Sequence, residues 1–312
     1  MSADNFFDKF LIPYLEYEAA LGYSGIQLRA EIDDLNIQPR DTVVNVGFNW
    51  GDSLIYLAEQ FPDIGKIVRV DSSTAMIDLS RSILSDRELP PLLKEKISKR
   101  AMGFLETLHD TASKHHNNDQ LYHCAAEDLD SLNIKADKIA ATMGLHWLTD
   151  PEKAFTAFNR SLVMNGIVTF STASSRFDVS QKDLLFHQNP YYQHFLGSFE
   201  ELYSEAYRSG EEPTKAKIFE QKNLGSVIDL IERNGFTLEQ YRELAIHVSE
   251  DDIDEVCIAG IKFRYDFDGR EETIVVITKT ALERAKQKSC YSSSVQQYEM
   301  SPIFRIRKIR EI

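Results

Sequence analysis

Between positions 45 and 73 stand the residues whose types and spacing best suit binding chemistry. In DTVVNVGFNWGDSLIYLAEQFPDIGKIVRVDSS (Asp41 to Ser73), Gly47 and Gly51 bracket a turn, and Asp71 closes the next apolar run. A glycine turn lets the main chain approach a ligand that any side chain would displace. A carboxylate after it accepts hydrogen bonds from both hydroxyls of a ribose diol. Together these are half of a nucleotide-binding α/β unit. The dinucleotide fingerprint GxGxxG is not met, because Gly47 and Gly51 are four apart with Asn49 between them. No GKS or GKT follows, so a phosphate-binding Walker loop is excluded as well.

The elements that must position these residues follow from periodicity. Thr42 to Val46 is a largely β-branched run suited to a buried strand, and Lys66 to Val70 is a second. Ser53 to Gln60 has helical spacing between them.

The stretch resembles motif I of the class I S-adenosylmethionine (SAM) methyltransferases, an acid followed by glycines at alternate positions. On that pattern Asn45 takes the acid's place, Gly47 the first glycine, Asn49 the second and Gly51 the third. Asn45 brings no charge to the methionine ammonium, whereas Asn49 is tolerable because asparagine visits positive φ readily. Three further segments follow in the family's order: VDSSTAMIDLSR (Val70 to Arg81), CAAEDLDSL (Cys124 to Leu132), and Asp137 to Thr172 with its LHWLTDP and R-x-L-x-x-x-G pieces. These resemble the malonyl-carrier-protein and trans-aconitate type small-molecule methyltransferases. The resemblance implies a Rossmann-like class I methyltransferase fold: a mostly parallel seven-stranded sheet, helices on both faces, and helical insertions forming a lid.

It also implies SAM as cofactor and a set of site residues. Asn45, Gly47, Asn49, Gly51, Asp71, Ser72, Met76, Ala126, Glu127, Thr142 and Met143 are the cofactor candidates. Among them Asp71 is the ribose acceptor, and the loop of Ala126 and Glu127 faces adenine. Ala125 stands where the family usually has an acid. His146 is either a general base, since imidazole titrates near working pH, or a packing residue. Tyr14, Trp147, His187, Tyr191, Tyr192 and His194 are the substrate candidates, with a buried aromatic patch as the competing explanation for the tyrosines. Methyl transfer by direct displacement asks chiefly for alignment and exclusion of water. The alternative is a chain that keeps the fold but not the reaction, as a cyclase, isomerase or partner-binding protein.

Composition bounds the partners. With 49 acidic against 35 basic side chains the net charge is −14, which repels a phosphate backbone and argues against nucleic acid. No apolar run reaches the ~18 residues of a membrane span. The acidic start MSADNFFDKF is unlike a secretory signal, so a cytoplasmic location is expected. Cys124, Cys257 and Cys290 are too scattered for a metal or redox pair. His115 and His116 read as a polar loop rather than a metal pair. The partner expected is a small-molecule substrate, with no metal and with the oligomeric state open.

The expected organisation has five parts. They are a helical cover over 1–40 (helical from Asn5 to Leu35), a core over 41–172 with a helical insertion at 87–118, and a lid over 173–223. The rest of the sheet follows over 224–285, with strands at Phe236–Leu244 and Glu272–Thr280, and then a polar tail over 286–312. In that tail the basic cluster RIRKIR (Arg305 to Arg310) is expected to be solvated.

Overall fold

The computed structural model describes residues 11–12, 14–16, 18–19, 22–47, 51–84, 97–112, 119–142, 145, 148–172, 190–206, 223–247, 253–254, 257, 271–288 and 298–312. Seven strands form one sheet in the order β3-β2-β1-β4-β5-β7-β6. They are β1 (Thr42–Val46), β2 (Lys66–Asp71), β3 (Asp119–His123), β4 (Ala136–Ala141), β5 (Leu162–Ser171), β6 (Phe236–His247) and β7 (Tyr298–Lys308). The pairs among β1 to β5 are parallel, and β7 joins β5 antiparallel. The order turns back on itself between β1 and β4, the crevice where such sheets bind ligands. The sheet is the mostly parallel, Rossmann-like one expected.

The helices are α1 (Tyr23–Asp34), α2 (Asp52–Gln60), α3 (Thr74–Leu84), α4 (Lys99–Ala112), α5 (Pro151–Ser161), α6 (Pro190–Ala206), α7 (Leu224–Arg233) and α8 (Glu271–Lys288). Of these α2, α3, α4 and α5 are the crossovers that make the parallel pairing possible. α5 begins with Asp150, whose side chain accepts from the Lys153 N–H at 3.0 Å, and with Pro151 in the first turn. α7 begins with a reciprocal cap between Asn223 and Ser226. One core cluster joins Leu28, Ile32 and Leu35 of α1 to Leu54 and Leu57 of α2, Val43, Ala140 and Ile167. An aromatic group is built by Phe155, Phe158, Phe170, Phe236 and Phe304, with the Phe170 and Phe304 rings stacked at 4.8 Å.

The structure corrects three expectations. First, the helical lead-in is not one continuous helix. Gly22 sits at φ 58°, donates to the Glu18 carbonyl at 2.7 Å, and breaks the path before α1. Second, Glu272–Thr280 is helical rather than a strand. Its β-branched run is outweighed by burial at helical spacing, with Ile277, Ala281, Leu282 and Ala285 all buried. Third, the last strand lies in the supposed polar tail. In YEMSPIFRIRK the basic residues alternate with Phe304 and Ile306, which are 0% exposed, and the period of 2 is that of a strand. Arg305 and Arg307 pair with Glu239 of β6 instead of standing in solvent. Lys308 is buried and donates to the carbonyls of Asn159 and Leu162 at 2.8 and 2.9 Å.

The chain divides into two compact units. Residues 1–178, 219–244 and 301–312 make the first, which carries nearly all of the sheet. Residues 179–218 and 245–300 make the second. Within it α6 packs against α8, and Tyr191 donates to Asp254, which also pairs with Lys286. Among the described residues no helix is long and apolar enough to cross a membrane.

Candidate functional site

The site grows from the carboxyl ends of β1, β2, β3 and β4. β1 ends in Val46, and Gly47 follows at φ 67°, its N–H donating to the Val70 carbonyl at 3.0 Å. A Cβ at Gly47 would stand 3.4 Å from the Thr142 carbonyl, so the turn lies against the end of β4. Gly51, at φ 117°, leads into α2. Both conformations are ones that L side chains rarely adopt. Beneath the turn Arg69 is fully buried, held by Asp119 through Nε at 2.7 Å and by Ser80 at 2.7 Å. Asp52 caps the Ser53 N–H at 3.0 Å, and burial raises its carboxyl to about 6.

Asp71 ends β2, where its Oδ1 accepts from the Ser73 N–H at 2.9 Å and its carbonyl accepts from Cys124. Beside it a cleft of about 440 Å³ opens between the ends of β2 and β3. Ser72, His123, Cys124, Ala125, Asp128 and Leu132 are among the residues that line it. His123 closes one side by bonding the Ser72 carbonyl through Nε2 at 2.8 Å. Burial first, then the nearby Asp128, Asp130 and Glu127, raise the Cys124 thiol above its ordinary range, which disfavours a thiolate nucleophile.

The sequence candidates fall into distinct places. Gly47, Gly51, Asp71, Ser72 and Thr142 are brought together around this corner, with Asn45 fully buried in β1 two residues before Gly47. Met76 and Ala126 are buried and do not line the cleft. Glu127 is engaged elsewhere: its Oε1 accepts from the N–H groups of Thr149 and Asp150, tying the loop to the start of α5. Tyr14 is buried. Tyr191 and Tyr192 are buried in the α6 row with Phe195, Phe199 and Tyr203, whereas His194 is exposed. Asn49, Met143, His146, Trp147 and His187 lie outside the described residues. His123 and Leu132 escaped the sequence reading, because a histidine at a strand's end carries no spacing signal of its own.

Residues 19–241, more than half of the chain, match the family model for the methyltransferase domain. The chain belongs to this family. It is a SAM-dependent methyltransferase of the class I fold. A crystal structure of a Bacillus halodurans C-125 protein described as a methyltransferase superposes with a TM-score of 0.50 at 13% identity, covering 92% of this chain and 100% of that one. Phosphoethanolamine N-methyltransferase 2 of Haemonchus contortus, solved with phosphomonomethylethanolamine and S-adenosylhomocysteine, also gives 0.50, at 14% identity. That match covers 99% of this chain and 61% of the other. At these identities the likeness is one of fold. No protein of curated function matches the sequence significantly.

The methyltransferase's own geometry fits the cofactor. The cradle at Gly47 is one that a Cβ would narrow, an aspartate ends β2, and the cleft beyond it leads along the ends of β2 and β3. One part of the corner is unlike the rest. Asn45 donates to the Ala140 carbonyl at 3.4 Å, but its buried Oδ1 has no partner. Facing Thr142 from α1 is Glu31, fully buried, with only the Thr142 and Ser171 hydroxyls beside its carboxyl. Each such burial costs about 1–3 kcal/mol, more when charged, so the two beside a ligand site ask for an explanation.

Proposed function

We propose that the protein transfers the SAM methyl group to an oxygen, nitrogen or carbon of a small, partly apolar molecule of secondary metabolism. The observation that carries this reading is the path of the chain beyond β5. Past the carboxyl end of β5 it leaves the first unit after residue 178, returns to it over 219–244, and returns again from 301 into β7, whose Ile303 pairs with Ser171 at the end of β5. The intervening chain supplies the whole second unit, and long insertions at this edge are where such folds place recognition. The net charge of −14 disfavours a phosphate backbone as acceptor.

The residues take these roles. Gly47 and Gly51 hold the turn open for the methionine end of the cofactor, with Asn45, Asn49, Thr142 and Met143 around it. Asp71 and Ser72 take the ribose, and the cleft wall of Ala125 and Asp128 takes the adenine, with Met76, Ala126 and Glu127 shaping it from behind. Bound SAM supplies an electrophilic methyl on a sulfonium, whose leaving group is the neutral thioether. The protein's part is then to align the acceptor in line with that bond and to exclude water. His146 is the candidate proton acceptor. Tyr14, Trp147, His187, Tyr191, Tyr192 and His194 are candidates for shaping the acceptor site, Tyr191 and Tyr192 by stiffening α6 from within.

The test is a release assay for S-adenosylhomocysteine with a panel of small amines, phenols and carboxylic acids beside duplex DNA and structured RNA. Turnover of one small-molecule class, with none on nucleic acid, supports the reading. Turnover confined to nucleic acid overturns it.

A further inference from the structure

Glu31 occupies a place that packing alone does not explain. It lies three residues after Leu28 and four before Leu35, beside the apolar stripe that seals α1 to the sheet. Its carboxyl is 0% exposed and has beside it only the neutral hydroxyls of Thr142 and Ser171, where β4 and β5 end. Thr142 is buried as well, and its carbonyl is the group against the Gly47 turn. Asn45, in register with Ala140 two residues before Thr142, adds a buried Oδ1 without a partner. α1 thus places a carboxyl, with no cation on it, against the strand end that meets the glycine turn.

Among the described residues no cation answers it. The charged groups acting on Glu31 are Asp34 of the same helix and Arg242 of β6. Arg242 is already committed, its Nε to Asp34 at 2.8 Å and its Nη2 to the Ala30 carbonyl at 3.0 Å. Arg69, the buried arginine below the turn, is bonded to Asp119 and Ser80.

We propose that Glu31 is the anionic partner of the positively charged methionine end of bound SAM, supplying from α1 the carboxylate that Asn45 does not supply from β1. A carboxylate buried without a cation is costly, and a cation arriving beside it removes that cost. Burial foremost, opposed by Ser171 and Thr142, reinforced by Asp34 and opposed by Arg242, raises the free enzyme's Glu31 carboxyl to about 8. The group is therefore mostly protonated at pH 6.5. When the cation docks, the carboxylate form is favoured and the proton passes to solvent. Cofactor binding is thereby coupled to proton release.

The experiment is calorimetric titration of SAM into the full chain and into Glu31→Gln at pH 6.5, in two buffers of different ionisation enthalpy. The wild type is expected to release about one proton per SAM bound and the Gln variant none. The ratio of wild-type to variant affinity should rise by up to about tenfold per pH unit from 6.5 towards 8 and then level off. Equal affinity and equal proton release in the two proteins would overturn the assignment of Glu31 while leaving the cofactor site intact. Absence of SAM binding by the wild type would overturn the cofactor site itself. Glutamine matches the shape of the protonated acid, and a melting curve verifies that the variant folds. Should it not fold, a wild type that binds SAM at pH 6.5 without releasing a proton still overturns the proposal.

Discussion

At Gly47 any other residue would have to hold φ near 67° with its Cβ 3.4 Å from the Thr142 carbonyl. Strain of that kind costs about 1–3 kcal/mol, and the added atoms stand where the cofactor would lie. Gly47→Val is therefore expected to abolish SAM binding in a calorimetric titration and to lower the melting temperature slightly. Glu31 gives a pH-dependent expectation. Its carboxyl is raised in the folded protein, so the stability it contributes is fully present below its ordinary value of 4.5 and is lost as pH rises towards about 8. Glu31→Gln does not titrate. Without cofactor, the variant should gain on the wild type through that window, by on the order of 2–4 kcal/mol at pH 9, as followed by urea unfolding. A gap that does not change with pH would mean that the carboxyl is not held protonated. Gly47, Gly51 and Asp71 were legible in the sequence because backbone need and hydroxyl recognition each demand one residue type. Glu31 was not, since a glutamate in QLRAEIDDL reads as solvent-facing until its helix is seen to press that side on the sheet.

Among the elements, β1 and β2 could be read directly from β-branched runs, whereas β4 and α5 came only with the motif order that the resemblance supplied. β7 and α8 could not, and the reasons are opposite. In ETIVVITKT local β preference points one way, and packing of α8 on α6 decides the other. In IFRIRK the charge hides the strand, because Glu239 neutralises the arginines and Lys308 is satisfied by carbonyls in the interior. A tail and a strand respond differently to mutation. Phe304→Ala removes a ring that is 0% exposed and stacked on Phe170, and is expected to cost about 3–5 kcal/mol by chemical denaturation. A loose tail would show no change. Lys308→Ala should cost about 2–4 kcal/mol, because it leaves the Asn159 and Leu162 carbonyls unpaired, whereas Arg310→Ala at the exposed end should stay within about 0.5 kcal/mol.

For the whole molecule, charge and motif order set the class of protein, and the ordered segments from Asp41 to Thr172 were enough to place the parallel part of the sheet. The two-unit division was less legible, because the second unit draws on two separate stretches, 179–218 and 245–300. Only contacts such as Tyr191 to Asp254 show that they belong together. Tyr191→Phe, which removes a buried hydrogen bond, should destabilise by about 1–2 kcal/mol and leave SAM affinity unchanged. A change in affinity measured by titration would show that α6 reaches the cofactor. The measurement that tests the central claim most directly is calorimetric titration of the wild type, Gly47→Val and Asp71→Ala with S-adenosylhomocysteine. Micromolar binding by the wild type, lost in the first variant and weakened roughly 10–100-fold in the second, is the expected result. Equal binding by all three would contradict a cofactor site built on the β1 glycine turn and the aspartate that ends β2.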